Sequence, residues 1–294
     1  MTDPKLSIVI AVKDGSDNLP ALLAALPGTE VVLACAGTVP ASAAGATTLS
    51  LPADTLVPNL WSEGIRRASG RAVALTTTQF VPDANWLARL KAADIDHWAG
   101  VGGAIANDPK AAARNWAIFF LRYSAFAPPL AEGETDEIAA DNAVYDRDAI
   151  MQHPDLLDEG FWEPSFHRRF RASGRKLSID PAMVVIHHGT VPAESFAHQR
   201  YLHGRAYGIE RAERGGAARN LLLLLSSPLV PPLLLARIVS RIAKKPAYRA
   251  KLLVAFPSLL RFTLAWAGGE AGGYASTLAR RLRGNAPTPS KRHA

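Results

Sequence analysis

Residues 6–12 read LSIVIAV, apolar at every position but Ser7, and no other stretch restricts the fold as tightly. A strand without a polar face has to be covered on both sides, which calls for a sheet layered between helices. Strand-like runs and helix-periodic segments then alternate through residues 18–26, 31–35, 61–68, 73–76, 85–93 and 101–105. Such alternation predicts the α/β class, a mixed sheet flanked by helices. The opening MTDPKLSIVIAV has an acidic residue and only a short apolar run before Lys13, so it reads as a first strand and not a signal peptide. A cytoplasmic start follows as the expectation.

With 294 residues and 48% hydrophobic content, the chain can bury a substantial core and is not a disordered protein. Its single cysteine, Cys35, excludes an internal disulfide and a cysteine-based zinc cluster, and its neighbours in VVLACAG predict a buried strand thiol. The formal charge of +7 is unevenly spread: residues 1–195 carry 16 Lys and Arg against 23 Asp and Glu, whereas residues 196–294 carry 17 against 3. The reading is an acidic domain over 1–195 followed by a basic tail over 196–294.

Hydrophobic runs decide how that tail is read. NLLLLLSSPLVPPLLLA and KLLVAFPSLLRFTLAWAGG alternate with basic clusters, Arg237 to Lys251 and Arg280 to Arg283. Leucine flanked by Lys and Arg points to an anionic membrane surface with the charges on the cytoplasmic side. Nucleic acid is not expected as a partner, because the aromatic platforms and basic motifs of known modules are missing. Residues 221–236 fall short of the ~20 needed to span a bilayer and carry Pro228, Pro231 and Pro232. Residues 252–274 are long enough but contain Arg261 and Glu270. Interfacial helices or a re-entrant hairpin are expected, with ordinary core helices as the plainer alternative.

Residues 161–189, FWEPSFHRRFRASGRKLSIDPAMVVIHHG, concentrate the chemistry. Phe166, Phe170 and Ser173 recur at helical spacing while Arg168, Arg169 and Arg171 fill the other faces, so a helix runs from about Pro164 to Gly174. Glu163 stands just before it, where the helix dipole favours a carboxylate. Residues 128–140, PPLAEGETDEIAA, read as an acidic mobile loop near an acceptor.

This segment resembles the family 2 glycosyltransferases of bacterial, membrane-associated type, which have the GT-A nucleotide-sugar fold. Trp162-Glu163, Arg169, Gly174, the strand 177–179, Pro181 and His187 or His188 follow the family's order. The resemblance extends backward over LSIVIAVKDGSDNLPALLAAL, LWSEGIRRASGRAVAL, VPDANWLARL and DNAVYDRDAI, covering most of the first 190 residues. It implies a GT-A-like domain that moves a sugar from a nucleotide-sugar donor to a lipid-linked or polysaccharide acceptor by inversion. Glu163 takes the place of the catalytic base, which removes the acceptor proton. Asp14, Thr76, Thr78, Gln79, His187 and His188 fall at donor positions; Asp141, Asn142 and Trp162 fall at acceptor positions.

The sequence departs from the family on the donor side. Where the family carries a DxD carboxylate motif for a divalent cation, this chain reads Thr76-Thr77-Thr78-Gln79, whose neutral oxygens suit Mn²⁺ or Mg²⁺ poorly. After the second strand the family's usual aspartate is replaced by ACAG. A divalent cation is therefore a possible cofactor without its usual ligands. Either cationic side chains such as Arg200, His203 and Arg205 neutralise the donor diphosphate, or the chain is a non-catalytic GT-A-like scaffold at the membrane. Attraction to lipid headgroups accounts for those arginines equally well.

Overall fold

A computed structural model describes residues 6–13, 15–43, 45–189 and 193–283. The chain forms two compact units: one from residues 1–109 and 125–189, the other from 110–124 and 190–294. The sequence-based boundary at 195 is contiguous, whereas the second unit also takes the excursion 110–124.

The first unit is a mixed α/β sheet with helices. Its elements are β1 (Leu6–Val12), α1 (Leu19–Ala24), β2 (Glu30–Ala36), β3 (Thr47–Leu51), α2 (Val57–Arg67), β4 (Ala72–Thr77), β5 (Phe80–Pro82), α3 (Trp86–Ala92) and β6 (Gly100–Asn107). A single helix of the second unit, α4 (Ala113–Tyr123), intervenes in the chain. Then follow β7 (Gly133–Thr135), β8 (Ala143–Asp146), α5 (Arg147–Met151), α6 (Pro154–Glu159), α7 (Glu163–Ala172) and β9 (Leu177–His187).

The sheet runs in the order β3-β2-β1-β4-β8-β6-β9-β5, with β7 beside β9. β1 through β4 are parallel, β6 and β9 are parallel to each other, and β5, β7 and β8 pair antiparallel to their neighbours. β1 is buried at all seven residues, as its apolar run requires. On one face Val9, Ala11, Val32 and Leu75 pack with Leu60, Trp61 and Ile65 of α2 and with Phe161, Phe166 and Phe170 around α7. Cys35 is buried and free, and burial pushes its thiol pKa up. Strand β3 and helix α4 coincide with no element expected from sequence. The acidic stretch 128–140 is not only loop: β7 pairs with the start of β9, and Lys176 bonds Glu134 at 2.8 Å.

The second unit is helical: α4, α8 (Ala193–Glu213), α9 (Ala217–Ser226), α10 (Val230–Ile242) and α11 (Arg249–Leu282). α8 and α11 approach backbone to backbone because Gly204 and Gly208 meet Gly269 and Gly273. A Cβ at Gly208 would lie 2.4 Å from the Glu270 carbonyl oxygen, and one at Gly273 would lie 2.5 Å from that of Arg205. Small residues four apart permit this approach. The close packing also buries Glu270, which accepts from Tyr274 Oη at 2.5 Å and Trp266 Nε1 at 3.1 Å and pairs with Arg211 at 3.6 Å. The expected cost of Glu270 in an apolar helix is thus offset by partners within the unit.

Two segments, Ala217–Ile242 and Pro246–Leu282, are long and apolar enough to cross a membrane, each containing an 18-residue window whose mean hydropathy is 1.9 in the first and 1.4 in the second. The first is interrupted by a 3-10 turn at Ser227–Leu229, and Pro231 and Pro232 lie in the first turn of α10, where proline is tolerated. Asn220, Ser227, Pro231, Ile238 and Ile242 are buried, while Leu222, Leu225, Leu229 and Leu233, at helical spacing, are exposed.

Candidate active site

The order β3-β2-β1-β4 contains a reversal: the chain leaves β1 toward β2 and β3, then returns to place β4 on the other side of β1. Open α/β sheets bind ligands beyond the carboxyl ends of their strands at such a point. Here that edge carries Lys13 after β1 and Thr76 to Gln79 at the end of β4. Asp14 lies outside the described residues. The antiparallel β8 enters at the same edge, since Ala143 pairs with Leu75 and with Gly102. Residues 140–142, a 3-10 turn just before β8, therefore lie at the end of β4 and beside the middle of β6.

α7 delivers Glu163 to this edge. Trp162 is the N-cap residue and Glu163 the first helical residue, so the helix starts one position earlier than the sequence suggested. At the other end Gly174 adopts φ +77°, and the N–H groups of Gly174 and Arg175 return to the carbonyls of Arg171 and Phe170 at 3.0 and 2.9 Å. This closed C-terminus makes the helix end where the glycine predicts. The half-buried Glu163 carboxylate accepts the Ala140 N–H at 3.0 Å. Beside it Trp162 is 39% exposed, its indole N–H donating to Glu159 O at 3.1 Å. A fixed carboxylate next to an exposed aromatic ring can take a hydroxyl proton and stack a sugar ring.

Beneath Glu163 lies a pair that the sequence reading did not identify. Tyr145 Oη is 3.1 Å from His167 Nε2, and both residues are buried. Burial, then the charges of Glu163 and Asp141, push the Tyr145 pKa well up. Burial and Arg171 lower that of His167 to about 4, so the imidazole is neutral. The signal for His167 was its position one residue after Phe166, on the edge of the helix's apolar face.

The acceptor-side residues divide. Asp141 is half-buried in the turn near Tyr145. Asn142, expected at the acceptor, is instead a structural residue with 0% exposure. Its Oδ1 accepts from Trp86 Nε1 at 2.7 Å, and its Nδ2 donates to Ala104 O at 2.8 Å and Met183 O at 2.9 Å. These bonds fill the irregularity where the register of β6 and β9 shifts after Gly103. A saturated, wholly buried amide has nothing to offer a ligand.

The donor-side residues divide in the same way. Thr78 is buried, and its hydroxyl donates to Gly15 O at 2.6 Å while its carbonyl accepts from Asn18 Nδ2 at 3.0 Å. Thr78 therefore shapes the β1 and β4 loops and is not a free ligand. Thr76 is fully buried, its hydroxyl without a hydrogen-bond partner. Gln79 is half-buried, and its carbonyl accepts the His188 N–H at 2.8 Å. His187 and His188 point different ways, as strand neighbours must. His187 is buried against Phe80, with Nδ1 3.1 Å from Asn107 Oδ1; His188 is half-exposed, with Nδ1 3.4 Å from Asp108 Oδ2. Asn107 and Asp108 were missed because an Asn-Asp-Pro stretch after a strand reads as turn chemistry.

Arg200 and Arg205 belong to the helical unit. The Arg200 guanidinium lies 4.2 Å from the Trp266 ring centroid, with its Nε buried and unpartnered. Burial, then Arg122, lowers its pKa to about 10. That packing commits the Arg200 guanidinium to the Trp266 ring, while Arg205 is exposed on α8. A cavity of about 540 Å³ under residues 125–137 is lined by Phe126, Leu130, Glu132, Glu137 and Ile179 and includes none of the candidate site residues.

No family model matches the sequence, and no curated protein matches it. Among solved structures, the chain is similar to the mannosyltransferase PcManGT from Pyrobaculum calidifontis in complex with GDP-Man and Mn²⁺. The TM-score is 0.49 at 14% identity, covering 91% of this chain and 87% of that one. It is also similar to S. aureus TarS 1-349, with TM-score 0.47 at 9% identity over 95% of this chain and 92% of that one. The same TarS segment in complex with UDP-GlcNAc gives 0.45 at 9% identity, with the same coverage.

Proposed function

We propose that the α/β unit is an inverting glycosyltransferase of the family 2 type, moving a sugar from a nucleotide-sugar to a lipid-linked or polysaccharide acceptor. The observation that carries this reading is Glu163, half-buried at the carboxyl edge of the sheet, oriented by Ala140 N–H and flanked by the exposed Trp162. In this reading Glu163 removes the proton from the acceptor hydroxyl as that oxygen attacks the anomeric carbon, and the nucleoside diphosphate departs from the opposite side. Trp162 supplies a stacking surface for the acceptor sugar.

The helical unit supports action at a membrane. Exposed leucines at 222, 225, 229 and 233 form one apolar face on a segment bounded by Arg219 and Arg237. Apolar insertion plus basic flanks suits the anionic cytoplasmic leaflet. The test is transfer or donor hydrolysis by the full chain with GDP- and UDP-linked sugars, in vesicles containing lipid-linked saccharides. Consumption of donor that requires Glu163 supports the reading. A folded protein that binds a nucleotide-sugar without turning it over favours the scaffold reading, to which the missing donor-side acids point.

A further inference from the structure

At the carboxyl ends of β4, β6 and β9, the side chains are a poor match for the divalent cation implied by the fold resemblance. Thr78 Oγ1 is committed to Gly15 O at 2.6 Å, and Thr77 Oγ1 accepts from the Gln79 N–H at 3.3 Å. Thr76 offers a neutral hydroxyl with no exposed surface. The one carboxylate described at the ends of β6 and β9 is Asp108, already 3.4 Å from His188 Nδ1. Among the described residues no group of three or more His, Cys, Asp or Glu could hold a metal ion. A hard dication wants six or more oxygens, with carboxylates among them.

The unsatisfied atoms at this edge point the other way. Asn107 is 5% exposed, and its Nδ2 is buried without a partner, although its Oδ1 faces His187. The Thr76 hydroxyl is likewise unpartnered. An amide N–H₂ can only donate, so an anion satisfies it and a cation does not. Buried donors left unpaired cost about 1–3 kcal/mol each, which makes an orphan here a reason to look for its acceptor. On the same edge the half-exposed His188 holds Nδ1 3.4 Å from Asp108 Oδ2, so its Nε2 donates to an anion when the ring is an imidazolium, and the half-buried Gln79 lies beside it, its carbonyl accepting the His188 N–H at 2.8 Å.

We propose, resting on the nucleotide-sugar reading above, that the diphosphate subsite of this chain works without a divalent cation. Hydrogen-bond donors from Asn107, His188 and Gln79 meet the phosphate oxygens where the family would place a metal. Anions held by amide and imidazolium donors in a partly desolvated site need no carboxylate ligands, and the loss of those carboxylates removes like-charge repulsion from the diphosphate.

The test is calorimetric titration of the full chain with UDP and GDP, in EDTA and again with Mn²⁺. The expected affinities agree within about threefold, since no ligand-bound metal contributes to either. In EDTA, His188→Ala should weaken binding by about tenfold, the size of a lost strong hydrogen bond. Gln79→Asp should weaken it similarly and make it recoverable by Mn²⁺, because a carboxylate then joins Asp108 and His188. Thermal melts of both variants separate loss of fold from loss of binding. Binding by the unmodified chain only with Mn²⁺, abolished by Asp14→Asn or Asp108→Asn, overturns the inference while leaving the donor reading intact. Binding of neither nucleotide under either condition overturns the donor reading and this inference with it. Unchanged affinity of both variants in EDTA also overturns it.

Discussion

The carboxylate of Glu163 accepts the backbone N–H of Ala140 at 3.0 Å, joining the first residue of α7 to the turn that caps β4. One carboxylate oxygen is thereby anchored and the group is held in a single orientation. Glu163→Gln keeps an acceptor oxygen for Ala140, so the fold should persist, but it removes the proton acceptor. Turnover should fall by about 10² or more, the range for losing a general base. The measurement is initial rate alongside a melting curve; full activity in Glu163→Gln would remove it from the role of base.

Asn142 ties together three segments remote in sequence, through Trp86, Ala104 and Met183. Asn142→Leu would leave an indole N–H and two carbonyls buried without partners. Each such group costs about 1–3 kcal/mol, so destabilisation of several kcal/mol is expected in urea unfolding. A loss below about 1 kcal/mol would mean that water or repacking replaces the amide.

His167 is buried and neutral, with a pKa lowered to about 4 by burial and by Arg171. In the unfolded chain it titrates near ~6.5. The unfolded state therefore binds more protons between those values. The contribution from His167 is fully present above pH ~6.5 and is lost as the pH falls through 6.5 toward 4, to an extent of about 3 kcal/mol. Unfolding free energies at neutral and mildly acidic pH should show this decline in the parent protein, with a flatter profile in His167→Gln. Equal slopes for both proteins would assign the acid sensitivity to other groups.

Leu225 and Leu229 are 69% and 60% exposed on the same side of the segment 217–242. Replacing both with Glu should release the protein from anionic vesicles in a flotation assay while leaving its melting temperature unchanged. Raised salt should weaken binding of the parent protein, because the basic flanks act electrostatically. Binding insensitive to both changes would indicate helices that span the bilayer. Point substitutions serve better here than truncation near Phe196, which would leave α4 without the Tyr248 and Lys251 that pack on its Trp116.

What residues 1–195 determine by themselves is local. The unbroken burial of β1 follows from LSIVIAV, and α7 follows from Phe166 and Phe170 with Gly174 as its stop. Periodicity and turn chemistry act over a few residues and need no distant partner. The placement of Glu163 beside Trp162 was legible for the same reason. Only tertiary structure decided that Asn142 is a strut, that the Thr78 hydroxyl serves Gly15, and that His167 meets Tyr145. It also decided that α4 joins the helical unit, with the chain leaving the sheet after residue 109 and returning at 125. An amide, a hydroxyl or an imidazole has the same local preferences whether it faces a ligand or a buried carbonyl. Which of these it meets depends on strand order and register, set by packing across 22 to 63 residues in these pairs.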